Sequence, residues 1–247
     1  MIDSGRHTLC ISSQIGCSVD CDFCATGKMG IIRNLNCGEI IQQLISISAE
    51  RKQKITNIVF MGMGEPFLNY ANVIKACKII NDPSGFNLSS KRITISTAGV
   101  ISKIEEFTKS KEKFKLAISL NGTTNEQRTS IMPINIKNSL DELLNVSRKY
   151  TETLNRWLTF EYVLLKEIND SVEDAKRLLS MLAGMKKCKL NIIPYNETDG
   201  EFRRPDKDQI ENFVIALRPA KFPITVRWSK GTDIDAGCGQ LATKNQV

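Results

Sequence analysis

Short apolar runs alternate with helical patterns along the chain, and this alternation limits the possible folds more than any other feature. Six runs rich in Val, Ile, Leu and Phe predict buried strands, at residues 8–13, 55–62, 92–98, 115–120, 158–165 and 189–195, and a candidate seventh lies at 223–229. Helical patterns lie between them, at residues 38–53, 69–80, 139–150, 170–185 and 206–218. The alternation predicts a parallel α/β sheet, as either a full or partial (β/α) barrel or an open doubly wound sheet.

The size and composition of the chain indicate one cytoplasmic domain. The 247 residues can bury a single large core, and we expect residues 1–247 to form one domain. No apolar stretch is long enough to predict a membrane span, and the first ten residues do not resemble a signal peptide. Cytoplasmic thiols stay reduced, so the eight cysteines indicate metal or redox chemistry. The single histidine, His7, argues against histidine-based zinc hydrolases and Ser-His-Asp triads.

Three cysteines form a C-x3-C-x2-C pattern directly after the first predicted strand. Cys17, Cys21 and Cys24 place three thiolates on one loop, whereas closed zinc sites and ferredoxin clusters use four ligands. Three ligands would leave one iron of a [4Fe–4S] cluster open to a small molecule. The alternative is a structural zinc site with Cys37 or His7 as the fourth ligand.

Unusual motifs follow several other predicted strands. These are GEP at 64–66, STAG at 96–99, SLNG at 119–122 and PYN at 194–196. Active sites of βα folds lie at the carboxyl ends of the strands. We therefore expect these motifs and the cysteine loop to form one site.

The cysteine loop, with Phe23 before its last cysteine and GEP in register after the second strand, resembles the radical S-adenosylmethionine (SAM) superfamily. Eight further motifs occur in order: TLCISSQIGC, FMGMGEPFLN, RITISTAG, AISLNG, IMPIN, TFEYVLL, NIIPYN and DIDAGCGQL. Together they resemble the RlmN/Cfr family, radical methyltransferases that modify adenosine in 23S ribosomal RNA and, for some members, transfer RNA. The resemblance extends from Gly5 to about Leu241 and implies a partial (β/α)6-type barrel.

The resemblance also implies roles for individual residues. Cys17, Cys21 and Cys24 would hold a [4Fe–4S] cluster, whose open iron binds SAM. The residues implied to bind SAM are Gly64, Glu65, Ser96, Ser119, Leu120, Asn121 and Asn196. Cys238 would first be methylated and would then transfer its methyl carbon to adenine by a radical step. Cys10 would release the product by forming a disulfide with Cys238. An electron donor such as flavodoxin and a monomeric state are also implied.

A basic region late in the chain predicts contact with RNA. Between Lys186 and Lys230 there are ten Lys or Arg residues against six Asp or Glu, and the net charge is +7. The candidate phosphate contacts are Arg203, Arg204, Lys207, Arg227 and Lys230. Tyr195 and Trp228 are candidates to stack on a base.

The sequence departs from the family at two places. Asn121 stands where the family usually has histidine. The family's N-terminal RNA-binding domain, with a glutamate thought to act as a base, has no counterpart before Cys10, so we expect that domain to be absent. Methylation of adenine carbon 2 is the favoured interpretation, partly because of the proline in GEP.

Several alternatives remain open at this stage. One is a carbon-8 methyltransferase of the antibiotic-resistance type, and another is a radical enzyme acting on a protein or metabolite. A truncated SAM-binding enzyme that is inactive on RNA and a zinc-stabilised RNA-binding module are the other two.

Overall fold

The computed structural model describes residues 2–3, 5–50, 54–229, 231 and 237–242, and its main sheet has eight strands, seven of which run parallel. The strands are β1 (Ile2–Asp3), β2 (Arg6–Ile11), β3 (Gln14–Gly16), β4 (Ile31–Asn34), β5 (Asn57–Phe60), β6 (Ile93–Thr97), β7 (Lys115–Ser119), β8 (Leu158–Leu164), β9 (Cys188–Pro194) and β10 (Ile224–Val226). The sheet order is β1-β2-β5-β6-β7-β8-β9-β10. Neighbouring strands in this sheet pair in parallel, except that β1 pairs antiparallel with β2 at one edge. The six predicted strands and the candidate seventh are confirmed.

The strands follow one another in chain order across the sheet, so the sheet curls into a half-barrel and is not doubly wound. The pairing of β8 with β9 is continuous, from Leu158 opposite Cys188 to Leu164 opposite Pro194. This topology confirms the partial barrel that the family resemblance implies. It also brings the carboxyl ends of all seven parallel strands to one edge.

Helices cover the outside of the half-barrel. They are α1 (Ala25–Lys28), α2 (Cys37–Glu50), α3 (Tyr70–Asn81), α4 (Ile101–Lys109), α5 (Asn125–Ile131), α6 (Leu140–Leu154), α7 (Val172–Leu182) and α8 (Lys207–Ala216). The predicted cap Ser139 is confirmed, because its hydroxyl accepts from Glu142 N–H in a capping box. Helix α7 begins after Ser171, which forms a capping box with Asp174. The sequence patterns missed the two helices on either side of β7, α4 and α5.

The core lies between the sheet and these helices. Ile58, Leu116, Ile118, Phe160 and Leu190 share one face of the sheet and are fully buried. The opposite face is also buried but includes polar residues, since it carries Ser96, Ala117 and Glu161. Replacing Phe160 with Ala would cost about 3–5 kcal/mol of folding free energy, since it removes the side chain and leaves a cavity.

No helix among the described residues is long and apolar enough to cross a membrane.

Candidate active site

The cysteine loop leaves the carboxyl end of β2 and is framed by the antiparallel hairpin of β3 and β4. Cys17 N–H donates to Gly30 O at 2.9 Å, and Cys24 N–H donates to Cys21 O at 3.0 Å. Gly27 is required by close packing, because a Cβ atom there would lie 2.9 Å from Cys21 O. The three thiols are therefore held on a short, hydrogen-bonded loop.

All three cysteines line a cavity at the carboxyl edge of the half-barrel, with a volume of roughly 840 Å³ including space open to solvent. Burial raises the pKa of Cys17 to about 11. Burial and the neighbouring Cys24 and Cys17 thiolates hold the pKa of Cys21 well above its usual range. These sulfurs need positive charge close by to become thiolates, and iron bound at this loop would supply that charge.

Gly64 and Glu65 line the same cavity, as the GEP motif predicts. Gly64 has φ +92°, and a Cβ atom there would lie 2.4 Å from Gln14 Cβ, so only glycine fits. The Glu65 carboxylate is buried and accepts from Phe67 N–H at 2.9 Å and Ala98 N–H at 2.6 Å. Burial raises its pKa to about 6, although these hydrogen bonds act in the opposite direction. Glu65 thus ties the carboxyl ends of β5 and β6 together.

Three of the four other predicted SAM residues on β6, β7 and the turn after β7 also face this cavity: Ser96, Ser119 and Asn121. The Ser96 hydroxyl donates to Glu161 Oε2 at 3.2 Å. Asn121 has φ +53°, a conformation that asparagine tolerates better than most residues. Its side-chain oxygen accepts from Val163 N–H at 2.8 Å. The Leu120 side chain is fully buried in the core, so only its backbone is left to contact a ligand.

Residues 237–242 bring Cys238 to this cavity from the far end of the sequence. Ala25 N–H donates to Gly239 O at 2.8 Å, and the Thr26 hydroxyl donates to Leu241 O. Asn196 is buried after β9, and its side-chain nitrogen donates to Cys238 O at 2.9 Å. The structure therefore shows Asn196 holding the segment that carries Cys238. Its predicted SAM contact stays a prediction.

Cys10 and Cys238 share the same charged neighbours, Glu161 and Arg227. Both residues keep surface that solvent can reach, and Cys238 lines the cavity that the three cysteines of the loop also line. Burial raises the pKa of Cys238 to about 12, and the Glu161 carboxylate raises it further. Burial also raises the pKa of Cys10. The structure therefore places the two predicted relay cysteines beside the same pair of charged residues. All eight cysteines of the chain are free thiols.

Sequence reasoning missed two charged residues of this site, Glu161 and Arg128. The Glu161 carboxylate is buried and lies 3.8 Å from an Arg227 guanidinium nitrogen. A carboxylate within the apolar run LTFEYVLL was the available signal, because an unexplained charge in a buried strand indicates a function. Arg128 lies on α5 and is fully buried. No local pattern marks it, because its burial depends on contacts with other elements.

The structure exposes some of the predicted RNA-contacting residues and buries one of them. Arg203 and Lys207 are exposed, and the Arg204 guanidinium lies 6.0 Å from the ring centroid of the exposed Trp228. Tyr195 is 1% exposed and bonds Thr198 through its hydroxyl, so its prediction as a base-stacking residue is wrong. Arg227 is one-third exposed and lies 3.8 Å from Glu161, so its contact with phosphate stays a prediction. Lys230 lies outside the described residues.

The donor set fits an iron–sulfur cluster better than a single zinc ion. In the described part of the chain, no three His, Cys, Asp or Glu side chains converge on a point that would hold one metal ion. A cluster presents separate iron atoms to separate cysteines, so it does not need that convergence. His7 lies in β2 upstream of Cys10, away from the loop that follows the carboxyl end of this strand, so it is not placed to complete a zinc site.

A thiol-rich loop and a cofactor-sized cavity at the carboxyl edge of a half-barrel define an enzyme of the radical SAM class. The family described as "Radical SAM superfamily" matches residues 11–179. A protein of Pseudothermotoga lettingae named "Probable dual-specificity RNA methyltransferase RlmN" is 45% identical over 245 residues, which cover 99% of this chain and 71% of that protein. "Dual-specificity RNA methyltransferase RlmN" of Geotalea uraniireducens is 44% identical over 240 residues, 97% of this chain and 69% of that protein. The chain belongs to the RlmN family of radical SAM methyltransferases.

Solved structures agree with this assignment. A radical SAM methyltransferase from Sphaerobacter thermophilus superposes with a TM-score of 0.94 at 40% identity, covering 99% of this chain and 72% of that one. A spore photoproduct lyase complexed with dinucleoside spore photoproduct superposes with a TM-score of 0.59 at 14% identity, covering 89% of this chain and 76% of that one. The second likeness shows only a shared fold.

Proposed function

We propose that this chain is an RNA methyltransferase that transfers a methyl carbon to carbon 2 of an adenine through Cys238 and Cys10. The observation that carries the proposal is the docking of residues 237–242 on the cysteine loop, which brings Cys238 into the cavity lined by Cys17, Cys21 and Cys24. The RNA substrate is inferred from the names of the relatives, and adenosine in 23S ribosomal RNA or transfer RNA is the expected target. When bound at the three cysteines, a [4Fe–4S] cluster would bind SAM and supply the electron for its cleavage.

Cys238 is proposed to accept the methyl group first. The thiolate is the nucleophile in such a displacement, so the proton on Cys238 Sγ has to leave before methylation. Because the pKa of this thiol is raised to about 12, it is a neutral thiol at neutral pH. The methylated sulfur would then sit in the cavity beside Ser96 and Glu161. This arrangement keeps the methyl carbon next to the site proposed for SAM.

Cys10 is proposed to release the product. It lies on β2, with Val59 of β5 opposite it, and shares the Glu161–Arg227 environment with Cys238. The Cys10 sulfur would lose its proton and attack the Cys238 sulfur, and the bond from that sulfur to the transferred carbon would break. The electron pair of the broken bond would stay with the carbon, which takes up a proton to become the methyl group of the product. Both cysteines are free thiols in the structure, as this step requires at its start.

The RNA surface is proposed to include the exposed residues Arg203, Lys207 and Trp228. Tryptophan offers a stacking face for a base, and the cations offer contacts to phosphate. We further propose that residues 1–247 act as one catalytic domain in the cytoplasm, as a monomer reduced by a flavodoxin-like donor.

Variants of the two relay cysteines test the proposal after anaerobic reconstitution with iron and sulfide. Cys238→Ala should keep its iron but form no 2-methyladenosine in a 23S RNA fragment or in transfer RNA. Cys10→Ala should accumulate a protein–RNA adduct that survives denaturing electrophoresis, because product release is blocked.

Cys37→Ala serves as the matched control, since Cys37 begins α2 outside the cavity. Normal methylation by either relay variant would exclude the thiol relay. Chromatography of the nucleosides against 8-methyladenosine separates carbon 2 from carbon 8. If the yield of labelled deoxyadenosine rises when a protein or metabolite is added but not when RNA is added, the substrate is a protein or metabolite and the proposed RNA substrate is wrong.

A further inference from the structure

Arg128 is the largest fully buried side chain among the described residues, and its charge has no acidic partner there. It is 0% exposed, and no Asp or Glu oxygen of the described residues lies within 4.0 Å of its guanidinium. Burying an uncompensated guanidinium costs several kcal/mol, so buried arginines are normally paired. A function that needs a fixed positive charge at this place would explain why it is retained.

The guanidinium binds the carboxyl ends of two strands. Nη2 donates to Ala98 O at 2.5 Å and to Ser119 O at 3.3 Å, and Nε donates to Leu120 O at 2.9 Å. Nη1 donates to Asn135 Oδ1 at 2.9 Å. These carbonyls belong to the motifs that follow β6 and β7, where the SAM-binding residues are predicted. Arg128 therefore fixes the separation and direction of these two strand ends.

Glycines make room for this side chain. A Cβ atom at Gly122 would lie 2.7 Å from Arg128 Cβ, and one at Gly99 would lie 3.2 Å from Arg128 Nη2. Gly99 also has φ +109°, which other residues rarely adopt. The backbone around Arg128 is thus shaped to admit a large cation.

Cys21 is the residue of the cysteine loop whose charge interacts with the Arg128 guanidinium. Burial lowers the pKa of Arg128 to about 10, so the guanidinium stays charged at neutral pH. The loop is joined to α5, the helix that carries Arg128, because Asp22 N–H donates to Ile131 O at 3.0 Å. A permanent positive charge therefore lies under the loop that is proposed to hold the cluster.

We propose that Arg128 is the fixed counter-charge of the iron–sulfur site and a positioning residue for the SAM pocket. The inference rests on the proposed cluster at Cys17, Cys21 and Cys24. Reduction adds one negative charge to the cluster, and a buried cation nearby stabilises that charge through the low-dielectric interior. Arg128 therefore raises the reduction potential and makes the reduced cluster easier to form.

The test measures the reduction potential of the reconstituted cluster by redox titration followed by electron paramagnetic resonance. In Arg128→Met, which keeps most of the side-chain volume without the charge, we expect the reduction equilibrium to become at least tenfold less favourable, a shift of about 59 mV to more negative potential. Arg128→Lys keeps the charge but not the planar fork of donors, so it should keep the potential and bind SAM more weakly. The two roles are thereby separated.

Arg177→Met is the matched control. Arg177 on α7 also donates to side chains, with Nη2 2.7 Å from Asp174 Oδ1 and Nε 2.8 Å from Thr123 Oγ1, but it is partly exposed and paired. Its loss should leave the potential unchanged. Arg128→Met with a full complement of iron and the wild-type potential would overturn the inference.

If Arg128→Met binds no cluster, the reduction potential of Arg128→Lys is the measurement that tests the inference. A reduction potential that falls by about 59 mV or more in Arg128→Lys would overturn the inference, because this variant keeps the positive charge. A wild-type chain that forms no cluster would instead refute the proposed function, and iron and sulfide content distinguishes these results.

Discussion

The two ends of the parallel strands carry polar residues of opposite character. At the carboxyl ends, Glu65, Asn121 and Glu161 are buried and are bonded to other groups of the protein. At the amino ends, Arg92 and Lys115 are exposed like charges. Pairing and hydrogen bonding fix the first group, whereas water solvates the second. The difference shows that an α/β half-barrel organises chemistry at one edge, where backbone and side chains together hold the functional groups.

Removing a proposed cluster ligand should have the largest effect on this comparison. Cys21→Ser replaces a proposed thiolate ligand with a hydroxyl that does not substitute for it, so we expect loss of nearly all bound iron and of methylation. Iron and sulfide per chain, together with the optical spectrum after reconstitution, measure the loss. Cys37→Ser is the control and should keep its iron. An iron loss in the Cys37 variant that equals that of Cys21→Ser would contradict a three-cysteine site.

A buried carboxylate at the same edge should give a smaller, pH-dependent effect. The pKa of Glu65 is raised from 4.5 to about 6 by burial, so the folded protein holds this proton more tightly than the unfolded chain does. The contribution of Glu65 to the free energy of unfolding should therefore fall by about 2 kcal/mol in total as the pH rises from well below 4.5 to well above 6, with more than half of the fall between these two values. Urea unfolding of the wild type and Glu65→Gln across this range measures the change as a difference.

Glu105→Gln, at an exposed position of α4, is the control for Glu65. The difference in the free energy of unfolding between this variant and the wild type should not show the same change with pH. A wild-type minus Glu65→Gln difference that stays constant between pH 4.5 and 6 would show that Glu65 titrates normally.

Relieving repulsion at the amino ends should have the smallest effect. Partial burial and the like charges of Lys189, Arg6 and Arg92 lower the pKa of Lys115. Lys115→Gln removes one of these charges, so we expect a stabilisation of about 0.5 kcal/mol or less, because water and salt screen the group. Thermal unfolding at low salt should show the gain, and 1 M salt should remove most of it.

Lys75→Gln, on an exposed position of α3, is the matched control for Lys115 and should show no salt-dependent gain. A destabilised Lys115→Gln would mean that the lysine has a favourable partner at this end of the sheet.

The sequence predicted well what depends on local pattern. The apolar runs predicted all seven parallel strands, and Ser139 marked the start of α6. The cysteine spacing and the GEP motif predicted Gly64 and Glu65 beside the three thiols, because residues at strand ends must share one edge.

The sequence did not reveal what depends on distant contacts. Tyr195 was expected to stack on a base, but its ring packs in the core against Phe202. Arg128 and Glu161 gain their roles from partners such as Ala98 and Arg227, which lie on other strands and loops. Charge and burial at such positions are set by tertiary packing, which a single sequence does not encode locally.

The docking of residues 237–242 on the cysteine loop also sets an order of assembly during synthesis. Thr26 and Leu241, which are hydrogen-bonded in the fold, are 215 residues apart in the chain. A ribosome would therefore expose the cysteine loop, the half-barrel strands and the cofactor cavity long before Cys238 emerges. Every shorter nascent chain would lack Cys238, the sulfur that is proposed to carry the methyl group, so incomplete molecules could not complete the proposed transfer to RNA.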